Sequence, residues 1–339
     1  MERLLTRQTI KHGLKLFILI SLASIVLLIF LTSGQESWLG LRQLRPRYIL
    51  LAILLIVLSW AFNSLKVKVL GWGIDATISF WNVFKANLGN LFLGAVTPFG
   101  MGGVPMQVYI LYRGGVGFEE ALVASYVGNY MTQVILFITC LGVLIFHQGL
   151  ITYIGLKILF SFVTFIYLVA FVVGLMAIFK PRGTKRFLGK MGLMLEKRFQ
   201  WRIFRSRAWL KTGLRGLDRV LHCIGIYFRQ ARGKLILAVL MAAISLCFYL
   251  STASAILAGL GIHHNFADVL MIQVILQFIL YFSPTFGGSG VAEFGAASLM
   301  AIFMPTAVLG VYVLLWRFFS YFLAVGLGSV VVLGTIAQK

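Results

Sequence analysis

Two ionisable residues, Glu293 and Arg317, lie inside apolar stretches in the last third of the chain. Charged side chains are costly in hydrocarbon, so within a membrane they pair with one another or bind a charged ligand. Glu293 also falls near the predicted start of a helix, where the dipole stabilises a carboxylate. Tyr321 follows Arg317 by one turn and lies on the same helix face. We therefore expect either a Glu293–Arg317 ion pair or an anionic group, such as a phosphate, held by Arg317.

Glycine clusters occur at two places in the hydrophobic sequence. They comprise Gly100, Gly102 and Gly103, and Gly287, Gly288 and Gly290. Glycines at the start of a helix leave backbone N–H groups unobstructed, and the helix dipole there favours negative charge. The pattern predicts that Gly102, Gly103, Gly287 and Gly288 take part in binding an anion.

Neutral polar residues occupy the corresponding places in the first half. Gln107 stands at the position that we match to Glu293, and Ser125, Asn129 and Gln133 recur at four-residue spacing. Such a stripe faces other helices or a cavity rather than lipid. Gln107 and Asn129 are therefore predicted to bind ligand or to bond between helices. Arg113, where this half's hairpin ends, is also predicted to bind the substrate. The same polar set is extended by Lys85, Asn87 and Asn90, and by Gln273 and Gln277.

These residues belong to two stretches that resemble one another. Val69-Leu-Gly-Trp-Gly-Ile74 leads through an apolar run to Thr97-Pro-Phe-Gly-Met-Gly-Gly103. Leu257-Ala-Gly-Leu-Gly-Ile262 leads through another to Ser283-Pro-Thr-Phe-Gly-Gly288, at an offset of about 187 residues throughout. Paired broken helices at matching positions of two halves are the best sequence pointer to a transporter's binding site. The repetition predicts a duplicated membrane protein.

The apolar runs are long enough to define spans, since a membrane helix needs roughly 20 apolar residues. The predicted spans are about 16–32, 48–65, 118–146, 151–179, 235–257 and 306–334. Two shorter pairs are predicted to be re-entrant hairpins, namely 78–98 with 104–113 and 266–283 with 289–303. The expected fold is an all-α, polytopic integral membrane protein with two re-entrant helical hairpins and inverted-topology repeats.

Lysine and arginine in short loops indicate which ends of the spans are cytoplasmic. The basic N-terminus is placed inside, and the second span is expected to return to a cytoplasmic loop at Lys66 and Lys68. The first hairpin then returns to Arg113, and the C-terminal Lys339 is also inside; the arginines of loop 33–47 oppose this assignment. By this count the first span of the first repeat runs towards the cytoplasm, and the first span of the second repeat runs away from it. The repeats are therefore predicted to have inverted topology.

The chain divides into four regions. Residues 1–47 hold an N-terminal helix and outer loop, 48–179 the first repeat, 180–234 a basic cytoplasmic segment and 235–339 the second repeat. Of the 30 Lys and Arg, 16 lie between Lys180 and Lys234, interleaved with tryptophans. Such a segment suits interfacial helices on anionic lipid, or alternatively a solvated linker.

Composition excludes several functions. With 60% hydrophobic and 12% charged residues, the net charge of +21 indicates anionic lipid rather than nucleic acid. The sequence has no nucleotide-binding loop, no Ser/His/Asp or Cys/His set and no carboxylate-rich metal site. We expect no cofactor, no metal and no enzymatic activity. Membrane lipids are the expected ligands, and a second copy of the chain or a lipid-synthesis enzyme stays open as a protein partner.

The motifs resemble the lysylphosphatidylglycerol synthase transmembrane region, a flippase-like family also called UPF0104, over about residues 10–335. Pro284-Thr-Phe-Gly-Gly-Ser-Gly-Val-Ala-Glu293 is similar to the family's Pro-x-Pro-Gly-Gly-x-Gly-x-x-Glu, and Arg317 matches its late intramembrane Arg. Gly102-Gly-Val-Pro-Met-Gln107, followed by Tyr109-Ile-Leu-Tyr-Arg113, is similar to a branch with Gly-Gly-x-Pro-x-Gln. Many relatives carry Gly-Glu-Pro-x-Arg there, so a charged pair is not expected in this half.

The resemblance implies movement of phospholipid-like or isoprenoid-linked lipids between leaflets of the cell membrane. The chain ends at Lys339, just past the last predicted span, so we do not expect it to synthesise aminoacylated lipid. The interpretation is a flippase or scramblase whose substrate headgroup binds near the midplane. Two alternatives stay open: a membrane-embedded headgroup transferase or phosphatase, and a non-transporting partner of a lipid-synthesis complex.

Overall fold

The computed structural model describes residues 44–146 and 231–337, together with the isolated residues Lys15, Leu19, Leu22, Ala23, Val26 and Tyr227. These residues form helices and short helical turns, without a strand. The predicted span 151–179 lies outside the described residues, as does the predicted span 16–32 apart from Leu19, Leu22, Ala23 and Val26. Most of the basic segment 180–234 does so as well.

The described part of the first half, residues 44–146, contains four helices. They are α1 (Pro46–Trp72), α2 (Phe80–Ala95), α3 (Gly103–Arg113) and α4 (Phe118–Phe146), with a single helical turn, Pro98–Gly100, between α2 and α3. The residues from Thr97 to Gly102 interrupt the helix between α2 and α3 because Pro98 cannot donate to a preceding turn. Helices α1 and α4 are long and apolar enough to span a membrane.

The second half repeats this series. It contains α5 (Arg232–Gly259), α6 (Phe266–Tyr281), a helical turn Phe286–Gly288, α7 (Val291–Met300), α8 (Thr306–Arg317) and α9 (Leu323–Ala337). A π-helical segment, Phe318–Phe322, joins α8 to α9. Helix α5 and the continuous run Thr306–Thr335 are also long and apolar enough to span. The described residues thus confirm an all-α membrane protein.

Helix α1 is longer than the sequence predicted. The expected span ended at residue 65, because Lys66 and Lys68 were assigned to a cytoplasmic loop. The helix instead continues to Trp72, and Lys66 is 1% exposed within it. The assignment was wrong because Lys66 finds hydrogen-bond acceptors inside the protein, so its charge does not have to end the helix.

Helices α1 and α5 pack along their whole length in opposite directions. The Arg45 N–H donates to the Gly259 carbonyl at 3.1 Å at one end, and Lys234 donates to the Trp72 carbonyl at the other. At the centre, Ser245 Oγ donates to the Ser59 carbonyl at 2.8 Å. Ser59 and Ser245 lie 186 residues apart and are equivalent positions of the two halves. The two halves therefore contact each other through an antiparallel pair of helices.

Candidate functional site

One threonine, Thr97, makes hydrogen bonds to the backbone on both sides of the break between α2 and α3. Thr97 Oγ1 donates to the Leu93 carbonyl at 2.6 Å and accepts the Gly102 N–H at 2.9 Å. The Gly100 N–H donates to the Thr97 carbonyl at 3.2 Å. Phe99 has φ 53° and ψ 15°, a left-handed conformation that costs a bulky residue energy. Backbone groups freed by the break are thus bonded within the turn, as a non-aqueous environment requires.

The break between α6 and α7 has the same shape with different residues. Ser283 Oγ and Thr285 Oγ1 are 2.8 Å apart, and the Gly288 N–H donates to the Thr285 carbonyl at 3.3 Å. Gly287, at φ 60° and ψ 21°, takes the conformation that Phe99 has in the first half. Glycine adopts this region without steric cost.

Glu293 and Arg317 form a buried ion pair. Arg317 Nε donates to Glu293 Oε1 at 2.9 Å, and the two residues are 1% and 0% exposed. Glu293 Oε2 accepts the Gly290 N–H at 2.6 Å and so caps the start of α7. Arg317 Nη2 donates to the Gly287 carbonyl at 3.2 Å. The pair therefore ties α8 to the turn and to Gly290, the residue that precedes α7.

Arg317 also contacts two aromatic rings. Its guanidinium carbon is 4.6 Å from the Tyr321 ring centroid and 5.7 Å from that of Phe322. A cation over an aromatic face is attracted to the ring quadrupole, more strongly when both are desolvated. Ser320 Oγ, one residue before Tyr321, donates to the Trp316 carbonyl at 2.6 Å within the π-helical region. The rings of Tyr321 and Phe322 therefore pack against the same guanidinium that Glu293 binds.

Three amides hold the corresponding place in the first half. Gln107 Oε1 accepts from Asn90 Nδ2 and from Asn129 Nδ2, both at 2.9 Å. Asn129 Nδ2 also donates to the Ser125 carbonyl at 2.8 Å. Gln107 is fully buried, and its Nε2 has no hydrogen-bond partner in the described part of the chain. This amide cluster (Asn90, Gln107 and Asn129) joins α2, α3 and α4 without a charge.

The match of Gln107 with Glu293 was wrong by two residues. Helices α2 and α6 begin 186 residues apart, at Phe80 and Phe266, but α3 and α7 begin 188 apart, at Gly103 and Val291. The second break contains two more residues than the first, which shifts everything after it. In the corrected register Pro105 matches Glu293, and Asn129 matches Arg317. The two bonds nevertheless join equivalent pairs of helices: Gln107–Asn129 joins α3 to α4, and Glu293–Arg317 joins α7 to α8.

A cavity of about 250 Å³ lies where the two breaks meet. The helical turns Pro98–Gly100 and Phe286–Gly288 contact each other, and both border the cavity. Its polar and aromatic lining comes from both halves: Asn90, Phe99, Gly100 and Asn129, and Tyr249, Gln277, Tyr281, Ser283, Thr285, Gly287, Gly288, Trp316, Arg317, Ser320 and Tyr321. Polar groups that converge on one concave space in this way are typical of a ligand site.

The predicted site residues divide into four groups. Those that line the cavity are Asn129, Gly287, Gly288, Arg317 and Tyr321. Gln107 and Glu293 do not line it but bond to residues that do. Gly102 and Gly103 follow the turn Pro98–Gly100 and do not line the cavity; Gly102 packs against Thr97, and Gly103 packs against Asn90. Arg113 borders a separate cavity of about 510 Å³, with Tyr112, Gly115, Val116, Gly117 and Thr335.

The expected anion-binding N–H groups are largely occupied. Those of Gly100 and Gly102 are bonded to Thr97, and those of Gly288 and Gly290 to Thr285 and Glu293. The glycines permit the turns and the close approach of neighbouring groups, but these four donors face protein acceptors. The guanidinium of Arg317 is therefore the cationic group that the described residues place at the cavity.

Sequence reasoning did not single out Tyr249, Trp316 or Phe99. Tyr249 lies in the middle of the apolar helix α5, where no local signal marks it. Its position 186 residues after Asn63, a polar residue in the matching helix, was the available signal. Trp316 and Phe99 are apolar residues next to predicted site positions, and only the folded cavity distinguishes them from lipid-facing ones.

Among the described residues, no three His, Cys, Asp or Glu side chains come together as a metal site would need.

Comparison with known proteins gives two matches. A family model of the lysylphosphatidylglycerol synthase TM region matches residues 17–328. A UPF0104 membrane protein of Archaeoglobus fulgidus is 25% identical over 315 residues, which cover 92% of this chain and 94% of that protein.

Proposed function

The chain belongs to the lysylphosphatidylglycerol synthase transmembrane-region family, and on that basis we propose that it moves an anionic lipid between the leaflets of the cell membrane. The family name connects this membrane protein with lipid handling. The substrate class is a phospholipid or an isoprenoid-linked lipid, and movement requires no nucleotide hydrolysis. The observation that carries the proposal is the cavity that both helix breaks and Arg317 share.

The cavity has features that a headgroup site in a bilayer needs. Asn129 lies eleven residues from the start of α4, about 16 Å along the helix axis and so near the middle of a span. Arg317 supplies a planar guanidinium, and a guanidinium matches the geometry of a phosphate better than the ammonium of a lysine does. Asn90, Asn129 and Gln277 supply amides beside it. A headgroup held there is separated from hydrocarbon while its acyl chains stay in lipid.

Arg317 would exchange partners when the headgroup binds. In the structure its Nε is bonded to Glu293 and its Nη2 to the Gly287 carbonyl. A phosphate that enters the cavity competes with these acceptors, and Glu293 keeps its bond to the Gly290 N–H. The ion pair thus prevents an isolated buried charge between transport cycles, because an unpaired guanidinium at this depth is costly.

Alternating access follows from the arrangement of the halves. Equivalent residues Ser59 and Ser245 bond at the centre of the antiparallel pair α1 and α5. Since both helices are long enough to span, this supports repeats that cross the membrane in opposite directions. The two hairpins then enter from opposite sides, and rocking of the halves exposes the cavity to each leaflet in turn. Both termini are placed in the cytoplasm.

Topology can be tested separately from transport. Single cysteines in place of Arg113 and His264 should react with an impermeant reagent from opposite sides of a sealed vesicle. Reaction from the same side would rule out the inverted arrangement and the midplane site that depends on it.

Transport is tested with the purified full chain in liposomes that contain headgroup-labelled lipids. The expected result is transfer of label between leaflets without added nucleotide, while a soluble dye shows that the vesicles do not leak. Protein-free vesicles and the Arg317→Ala variant are the controls. A chemically altered headgroup would support the transferase or phosphatase alternative. If the assay detects neither lipid transfer nor a chemical product, the result would support a non-transporting partner.

A further inference from the structure

Lys66 is a buried lysine that the proposed headgroup site does not use. It lies in α1, six residues before the helix ends at Trp72, and is 1% exposed. Its Nζ donates to Asn63 Oδ1 at 2.6 Å and to Thr132 Oγ1 at 2.7 Å. Gly128, one turn before Thr132, leaves room for the side chain, since a Cβ there would lie 3.3 Å from Lys66 Cε. The position is therefore shaped to hold this amine.

Hydrogen-bond accounting favours the neutral amine here. Asn63 Nδ2 donates to Asn87 Oδ1 at 2.6 Å, so Asn63 turns its carbonyl oxygen towards Lys66. Thr132 Oγ1 donates to the Gly128 carbonyl at 3.2 Å and so accepts from Lys66. A neutral amine has two N–H donors, which these two acceptors satisfy, whereas an ammonium has three. The third donor of an ammonium would have no acceptor among the described residues.

Among the described residues, no charged group compensates Lys66. The elements that pack against α1 are α2, α4, α5 and the π-helical segment. No carboxylate in the described ranges forms an ion pair with Lys66, and a buried charge without a partner tends to neutralise. The titratable or charged residues on the packed elements do not bond to its Nζ; they are Lys85, Glu119, Glu120, Tyr126, Tyr130, Cys140, Arg232, Lys234, Cys247, Tyr249 and Tyr321.

The Lys66 group connects to the cavity through the first half. Asn87, which bonds to Asn63, lies one turn from Asn90 on α2. Thr132 lies one turn from Asn129 on α4, and Asn90 and Asn129 both line the cavity. A movement of α2 or α4 that opens the cavity would therefore also disturb the acceptors of Lys66. Lys66 itself is about 9 Å from the end of α1, between the cavity and the predicted cytoplasmic side.

We propose that Lys66 is a proton-binding site that couples proton movement to the lipid movement proposed above, on which this inference rests. In the closed state described here the amine is neutral. When α2 and α4 separate, water reaches Nζ, and its lone pair takes one proton from a hydronium ion to form an ammonium. The ammonium cannot return to the closed site until it gives that proton to water, so the halves close only after proton release.

The protonation state can be measured without any transport assay. In the full chain with ¹⁵N-labelled lysine, the Nζ signal absent from Lys66→Met belongs to Lys66. We expect this signal to be that of a neutral amine at neutral pH and of an ammonium at the acidic end of a titration from about pH 9 to about pH 5. An ammonium signal across the whole range would overturn the proton-binding site.

Coupling is measured in phosphatidylglycerol-containing vesicles that enclose a pH-sensitive dye. For the wild type we expect a pH gradient to change the rate of lipid transfer, and labelled lipid to induce proton flux. Lys66→Met should lose both responses while keeping its fold, and Lys66→Arg, which stays charged, should lose lipid transfer. The exposed Lys85→Met is the matched control and should keep both.

Two results would count against the coupling, and they differ. If Lys66→Met retains gradient-dependent transfer, lipids move but Lys66 does not couple them to protons. If the wild type moves no lipid although its Lys66 Nζ titrates, the transport function fails together with the coupling, and the proton site itself stands.

Discussion

In the first half, the helix break between α2 and α3 is supported by three amides, whereas in the second half the break between α6 and α7 is supported by an ion pair. The helices around the breaks have closely similar lengths and the same order. At the matching positions on α4 and α8, the residues are Asn129 and Arg317, and both line the cavity. The two halves thus share a similar backbone arrangement, while the described charge is confined to one side of the site.

The difference indicates a division of roles. A cavity with a buried ion pair in each half would contain two desolvated charge pairs, each of which gains little stability over apolar residues. One pair is enough to bind an anionic headgroup, and the neutral half can then contact other parts of it through amides. Among the described residues of the first half, the buried lysine is Lys66, whose acceptor Thr132 lies one turn from Asn129 of the amide cluster.

The largest difference between the halves should appear when the ion pair is broken. Arg317→Ala leaves Glu293 buried without its partner, which should lower the free energy of unfolding by about 3–5 kcal/mol. Arg317→Ala and Glu293→Gln should each slow lipid transfer at least about tenfold, a loss of about 1.4 kcal/mol in the barrier. Unfolding in detergent and the liposome assay measure the two effects. Normal transfer by either folded variant would contradict a shared site.

Removal of the first-half amides should have a smaller effect. Asn129→Ala and Gln107→Ala each remove bonds between neutral groups, so we expect a loss of about 1–2 kcal/mol in unfolding free energy. Lipid transfer should fall by less than it does in the ion-pair variants. Ser125→Ala is the control, because Ser125 Oγ has no hydrogen-bond partner in the described residues. If Asn129→Ala is as damaging as Arg317→Ala, the halves are not divided as we infer.

The two turns should respond in opposite directions. Gly287→Ala places a Cβ at φ 60° and should destabilise the protein by about 1 kcal/mol. Phe99→Asn should stabilise it by a fraction of about 1 kcal/mol, because asparagine tolerates the left-handed region better than a bulky ring. Thermal unfolding of both variants beside the wild type measures the difference. Equal shifts of one sign would mean that backbone conformation does not set these turns' stability.

The smallest effect is expected where the halves are identical. Ser245→Ala removes the bond to the Ser59 carbonyl, and interhelical bonds of this kind contribute about 0.6 kcal/mol in membranes. Ser59→Ala removes its Oγ contact with Ser245, at 3.3 Å, and should cost no more. The measurement is the unfolding free energy of each variant. A loss of several kcal/mol would show that these serines do more than join the repeats.

The sequence by itself determined the membrane class and the positions of the breaks, and it predicted the Glu293–Arg317 ion pair as one of two alternatives. Each follows from a constraint that acts locally or between few partners: apolar length sets a span, proline and glycine interrupt it, and an intramembrane arginine needs an acidic residue. In the second half Glu293 was the acidic residue expected near Arg317, so their pairing could be inferred without coordinates. The four described spans and the helix order also follow from these rules.

Tertiary structure alone decided what lies opposite each polar group. Lys66 was expected to end α1, but Asn63 and Thr132 meet its amine, and the helix continues to Trp72. The glycine N–H groups expected to bind an anion are used by neighbouring oxygens, and two extra residues in the second break shift the register of everything after it. A sequence shows which groups need partners in a membrane, but which partner each finds depends on how distant helices pack.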